Sequence, residues 1–314
     1  LGAALRARAS FLAGARSWHA VVLHRAVLPF GPWQRPTFER ILSRIQPRWV
    51  FDFYDSLWVL RRTAAAGSRS APARFLNPPD AVETACRLAR AVTVSGEFLA
   101  SFARPHGRDV RILPMLLDPG EYAPRPARDA DPVVLGWMGN RWNLPRLHSI
   151  GPALRALAAR RRILLRVVAP ERVEIPGVPV ESLVHPWSEE SERRDLASID
   201  VGLLPLFDDE EDRGKFPFKS IQYAAAGLPV VSSPVAMDPS AFREGESVLY
   251  ARTGAEWEAA MERLVVDRGL RERLGAGARR TLEERYSFGA HAEGFAGLLR
   301  ETAAGPAHSV RPPR

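Results

Sequence analysis

The sequence predicts an α/β protein built of two doubly wound domains, and three observations carry that reading. The chain has 314 residues, enough for two domains that each bury a core. Short apolar runs alternate with stretches of helical periodicity, the pattern of parallel sheets covered by helices. The run EYAPRPARDADP, residues 121–132, is rich in proline and charge and lacks apolar periodicity, which marks a domain boundary.

Before that boundary, strands are expected at HAVVLH (19–24), RWVFDFY (48–54), AVTVS (91–95) and VRILPM (110–115), with helices near 36–46, 79–90 and 96–104. After it, strands are expected at VVLGWMG (133–139), ILLRVVA (163–169), ESLVHP (181–186), VGLLPL (201–206), PVVSSP (229–234) and VLYA (248–251). Helical stretches such as LPRLHSIGPALRALAARR and SEESERRDLASI separate them. Two packed doubly wound domains should carry sheets of similar size. Four strands against six therefore imply that one to three βα units of the first domain are absent. The opening LGAALRARASFLAGARSW is acid-free, which suits a transit peptide or, on the strand count, a helix of the first domain. The final GPAHSVRPPR has too little apolar content to fold.

Composition narrows the function classes. No apolar run is long enough for a membrane span, because arginine or proline interrupts each candidate. One cysteine, Cys86, excludes an internal disulfide framework and suits a reducing cytoplasm. His, Asp and Glu show no metal-ligand spacing, so neither metal nor resident cofactor is expected. The net charge of +8 invites polyanions or an acidic lipid surface. However, the arginines are scattered and no nucleic-acid-binding pattern accompanies them, so no nucleic-acid partner is expected.

Of the 44 basic residues only Lys215 and Lys219 are lysine. They lie in RGKFPFKSIQYAAAGLPVV, residues 213–231, at the start of a helix expected from Pro217 to Ala226 and stopped by Gly227. A cation is unfavourable in the first turn of a helix by roughly 0.3 to 1 kcal/mol unless negative charge stands beside it. The preceding DDEED loop would supply that charge. So would a bound phosphate, since a helix N-terminus at the carboxyl edge of a parallel sheet is an anion site.

Other positions carry weaker signals. GWMGNRWN, residues 136–143, is a strand entering a glycine turn, where backbone at Gly139 and Asn140 can approach a ligand and Arg141 can meet phosphate or solvent. FDFYDSLW, residues 51–58, sets Asp52 and Asp55 at a strand's carboxyl end, for polar recognition or as an aspartate-capped surface turn. Trp187, following His185 out of another strand, lines a base or sugar pocket or simply packs. Tyr223, four residues beyond Lys219, faces ligand or core. No Gly-x-Ser-x-Gly, P-loop or dinucleotide fingerprint occurs.

The run VGLLPLFDDEEDRGKFPFKSIQYAAAGLPVVSSPVA resembles the donor-binding segment of retaining GT-B glycosyltransferases of family 4. VLGWMGN, VHPWSEE and EWEAAMERLVVDRGLRERLGAGARRTLEERYS extend the likeness, and VFDFYDSLW, AVTVSGEFLASFA and ILPMLLDPGEYAP carry it more loosely into the first half. The resemblance implies two Rossmann-like domains facing a cleft. An incomplete acceptor-side domain spans 1–122, a linker 123–131 and the nucleotide-sugar domain 132–283. A helix over 284–303 crosses back, ahead of a disordered tail at 304–314. It further implies transfer of a sugar from a nucleoside-diphosphate sugar to an acceptor hydroxyl with retained configuration, in the cytoplasm, for polysaccharide or glycoconjugate synthesis. The acceptor would be a glycan or lipid-linked, with peripheral contact at the inner membrane face.

On that resemblance Lys215 and Lys219 stabilise the departing diphosphate, and Gly139, Asn140, Arg141, Trp187, Phe218, Gln222 and Tyr223 bind the donor. Asp52 and Asp55 serve the acceptor side, and no metal is required. Two glutamates eight apart, common in the family, are here Gly214 and Gln222. Ala236 and Ser240 replace a usual glycine and glutamate. Those departures keep a second reading open, a GT-B protein that binds nucleotide sugars without turnover.

Overall fold

A computed structural model describes residues 2–25, 36–59, 80–124 and 126–304. The expected tail lies outside the described residues from position 305 onward. The chain divides into two compact units, one of residues 1–115, 213–216 and 291–314, the other of 116–212 and 217–290.

The first unit holds a parallel four-stranded sheet in the order β1-β2-β3-β4, formed by Val21–His24, Trp49–Phe53, Ala91–Val94 and Val110–Ile112. These are the expected strands with their ends trimmed. β2 and β3 are buried along nearly their whole length, as strands covered on both faces must be. Trp49, Phe51 and Phe53 pack with Leu42, Val92, Val94 and Leu99 into one core. The acid-free opening stretch forms helix α1, Gly2–Gly14, with Leu12 in that same core. Helices α2 (Thr37–Ile45), α3 (Ala81–Leu88) and α4 (Glu97–Ala103) separate the strands. Leu298, on the helix Phe288–Ala304, packs against Val50 and Ala91.

The second unit carries six parallel strands, β5 (Val133–Met138), β6 (Ile163–Val168), β7 (Val180–Leu183), β8 (Val201–Leu204), β9 (Val230–Ser232) and β10 (Leu249–Tyr250), ordered β10-β9-β8-β5-β6-β7. The order reverses between β5 and β8, which pair in parallel. In an open α/β sheet, ligands bind outside the carboxyl ends of the strands at such a reversal. The turn after β5 and the loop after β8 flank this point.

The proline-rich stretch is held against the second unit. Arg279 donates to the carbonyls of Pro119 and Tyr122 at 2.9 and 3.2 Å, and Leu117 N–H donates to Tyr286 O at 3.0 Å. Close backbone approach requires two glycines on the helix Arg268–Arg285. A Cβ at Gly275 would stand 2.1 Å from Gly227 O, and one at Gly277 1.9 Å from Glu246 O. Among the described residues no helix is long and apolar enough to cross a membrane.

Candidate functional site

The site elements of the second unit gather at the strand reversal. β5 runs into Gly139, whose N–H still donates to Val168 O at 3.0 Å. The strand ladder thus extends to Gly139, at the turn where backbone was expected to approach a ligand. Side-chain bulk is excluded there, because a Cβ would meet the Trp137 ring at 2.3 Å. Asn140 caps the 3₁₀ turn Arg141–Asn143, its side chain accepting from Asn143 N–H. Arg141 is exposed and pairs with Glu171 at 3.2 Å, a solvent-screened contact of small energetic weight.

The loop after β8 differs from the expected acidic loop. Glu210–Arg213 forms a short helix, α8 in chain order after α5 (Leu144–Ser149), α6 (Gly151–Ala158) and α7 (Glu189–Ala197). Asp212 on it is fully buried and takes 2.6 Å bonds from both Nε and Nη2 of Arg146 on α5. It also accepts from Phe207 N–H at 2.7 Å. Burial disfavours the Arg146 charge, but the hydrogen bonds to Asp212 together with the charges of Asp212, Glu211 and Asp209 outweigh it and hold the guanidinium above its ordinary value. Neither Arg146 nor its pairing was visible as a site feature in the sequence, since the partners are 66 positions apart.

Helix α9, Phe218–Ala225, follows with Pro217 at its N-cap and no side-chain cap. It ends before Gly227, whose φ of 69° is the left-handed geometry that glycine supplies. Lys219 and Phe218 are half-buried in its first turn, and Gln222 is buried one turn on. Lys215 lies half-buried in the segment 213–216, which packs with the first unit. Within that unit Gly214 sits tightly on Ser56, where a Cβ would come 2.4 Å from the serine Cβ. A glutamate there has no room in this packing.

Tyr223 requires correction as a donor-binding residue. It is fully buried, its ring lies over Gly202, and its hydroxyl is 3.4 Å from the carbonyls of Gly136 and Leu203. It locks α9 onto the β5–β8 pair. Trp187 has the opposite fate: it is 70% exposed, and its indole N–H donates to Glu192 at 2.8 Å. Tyr122 donates to the other oxygen of the same carboxylate at 2.6 Å. The indole is thereby fixed by its edge while its faces remain open.

In the first unit, Asp52 and Asp55 both stand at the carboxyl edge. Asp55 pairs with Arg25 at 2.8 Å. Asp52 is hydrogen-bonded to His24 Nδ1 and to Thr93 Oγ1, each at 2.6 Å. Among the described residues no cluster of three His, Cys, Asp or Glu side chains is arranged to hold a metal.

Comparisons with known proteins agree with this architecture. The profile of a family described as glycosyl transferase-like matches residues 160–296. No curated protein matches the chain. Among solved structures, sucrose-phosphate synthase from Thermosynechococcus elongatus superposes with a TM-score of 0.64 at 16% identity, over 94% of this chain and 76% of that one. The α,α-trehalose 6-phosphate synthase of Burkholderia multivorans gives 0.66 at 14% identity, over 96% of this chain and 76% of that one. TarM of S. aureus, solved with fondaparinux, α-GlcNAc-glycerol and UDP, gives 0.56 at 12% identity, over 80% of this chain and 50% of that one. At these identities the likeness defines the fold, which is GT-B.

Proposed function

We propose that the protein is a glycosyltransferase that moves a sugar from a nucleoside-diphosphate sugar to an acceptor hydroxyl, with retention at the anomeric carbon as in family 4. The observation that carries this reading is the placement of the only two lysines of the chain, Lys219 in the first turn of α9 and Lys215 in the segment that leads into it, α9 being packed on the strand reversal of a GT-B fold. The glycosyl transferase-like match spans the same segment. Negative charge gathers on the departing diphosphate as the C1–O bond breaks. Two ammonium groups and the positive end of the α9 dipole stabilise that charge without a metal ion. Trp187 offers an open ring face to the base or sugar, and Gln222 a hydrogen bond to a hydroxyl. The acceptor belongs to glycan or lipid-linked chemistry, and the +8 net charge favours work at an acidic membrane surface in the cytoplasm.

The test is incubation with UDP-, GDP-, ADP- and TDP-sugars and a panel of glycoside acceptors, followed by proton NMR of the anomeric signal. A product with the donor's anomeric configuration supports the reading. An inverted product contradicts retention. Nucleotide-sugar binding without turnover on any acceptor favours the non-catalytic alternative.

A further inference from the structure

The positive charge of the chain is unevenly placed. Its first 51 residues hold eight arginines and one acid, Glu39, a net charge of +7 against +8 for the whole chain. Beyond them basic and acidic residues nearly balance. Part of this excess is displayed by α1, the 3₁₀ turn Ala15–Ser17 that follows it, and α2. Arg6 and Arg16 are exposed on the first two, Arg40 and Arg44 on α2, while Leu12 and Leu42 turn the other way into the shared core. Gln46, just beyond α2, donates to Ala15 O at 2.9 Å and to Trp18 O at 2.6 Å. These bonds tie the ends of the two helices together and bring Arg16 and Arg44 to the same end of one surface. Glu39 is buried, at 5% exposure, and the four arginines make no ion pair among the described residues. The run of three arginines at 160–162 shows the contrast. It reads as equally basic, yet Arg160 pairs with Glu258 and Glu262, Arg161 with Glu262 and Arg162 with Asp131.

Apolar groups accompany these charges. Trp18 is 40% exposed and Ile41, between the α2 arginines, 38%. The Trp18 ring is propped against Phe11, with centroids 5.1 Å apart. A ring that is half wet and half packed, beside arginine side chains, suits the boundary between lipid headgroups and water. We infer that the outer face of α1 and α2 is a docking surface for an acidic lipid bilayer, where the four arginines meet headgroup phosphates and Trp18 and Ile41 rest at headgroup depth. The attachment is electrostatic and peripheral. The exposed Ile41 side chain gains from lipid and gains nothing against a phosphate backbone in water, which favours a bilayer over a nucleic acid. This surface belongs to the first unit alone, so its work is independent of the donor site.

The experiment is co-sedimentation of the full chain with vesicles of phosphatidylcholine alone and of phosphatidylcholine with about 30% phosphatidylglycerol. The unmodified protein is compared with Arg6→Gln/Arg16→Gln/Arg40→Gln/Arg44→Gln and with a charge-matched control, Arg160→Gln/Arg161→Gln/Arg162→Gln/Arg263→Gln. Circular dichroism verifies that each is folded. The expected result is binding to the acidic vesicles only, weakening as salt is added. At about fivefold per arginine, the first variant should bind about 100-fold or more weakly, the pair Arg40→Gln/Arg44→Gln should fall between, and the control should retain most of its binding. No binding of the unmodified protein to the acidic vesicles, or an equal loss in the first variant and the control, overturns the inference. So does release from the vesicles by duplex DNA at equal phosphate concentration. Nucleotide affinity, measured by calorimetry, is expected to be the same in all of these proteins, so failure of lipid docking and failure of the glycosyl-transfer reading are told apart.

Discussion

Arg146 and Asp212 form a two-point ion pair in the interior of the second unit, with guanidinium Nε and Nη2 each 2.6 Å from a carboxylate oxygen. Arg146 also donates to Trp142 O at 3.1 Å, and its guanidinium carbon lies 5.3 Å from the Phe207 ring centre. The pair therefore ties the turn after β5 to the loop after β8 across the strand reversal, and fixes the short helix from which the chain enters the lysine segment. Removing either partner strands a buried charge. Arg146→Met or Asp212→Asn should each destabilise the fold by about 3 to 5 kcal/mol. The double replacement Arg146→Met/Asp212→Asn should be milder than the sum of its singles, because no charge is left uncompensated. Urea unfolding of the four proteins measures this directly.

Tyr223 and Gly202 make a second fixed contact. Gly202→Ala would place a Cβ 2.4 Å from Tyr223 Cγ, and overpacking of this kind costs about 1 to 3 kcal/mol. Tyr223→Phe should cost under about 1 kcal/mol, because both hydroxyl contacts are long, at 3.4 Å. A larger loss for Tyr223→Phe than for Gly202→Ala in urea unfolding would contradict the assignment of this ring to the core.

Cys86 is fully buried. Burial, with the neighbouring Glu83 charge adding to it, pushes its thiol up to about 12. Only the thiolate reacts readily. Alkylation by iodoacetamide at pH 8 should therefore be negligible in the folded protein and fast in urea, and mass spectrometry distinguishes the two.

Trp187 separates folding from binding. Its indole is largely in solvent, so Trp187→Ala should leave the unfolding midpoint nearly unchanged. Loss of a stacking face should weaken nucleotide affinity about tenfold or more. Trp187→Phe should retain part of it. Fluorescence quenching of the unmodified protein by nucleotide and calorimetry of both variants provide the check.

How much of this was legible in the sequence follows from what each feature depends on. The strands and the helix bearing Lys219 were readable because alternation, a proline before the helix and Gly227 after it are local signals. Tyr223 and Trp187 are both aromatic residues near loops, and nothing local separates them. Their fates depend on Gly202 opposite one ring and on Glu192 held jointly by Tyr122 beside the other. Asp52 was visible as an acid at a strand end. Its partners His24 and Thr93 are brought to it by strand register, which lies 28 and 41 positions away. Asp212 belonged to an acidic run that looked like solvated loop, and only the approach of α5 reveals its neighbour Arg146.

The central claim is that Lys215 and Lys219 hold the diphosphate of a nucleotide sugar. Calorimetric titration of UDP, GDP, ADP and TDP into the unmodified chain and into Lys215→Ala/Lys219→Ala tests it most directly. Micromolar binding of one nucleotide is expected, weakened about 100-fold or more in the double variant, with the unfolding midpoint preserved. Equal affinity in the two proteins, or no binding by the folded unmodified chain, would contradict it.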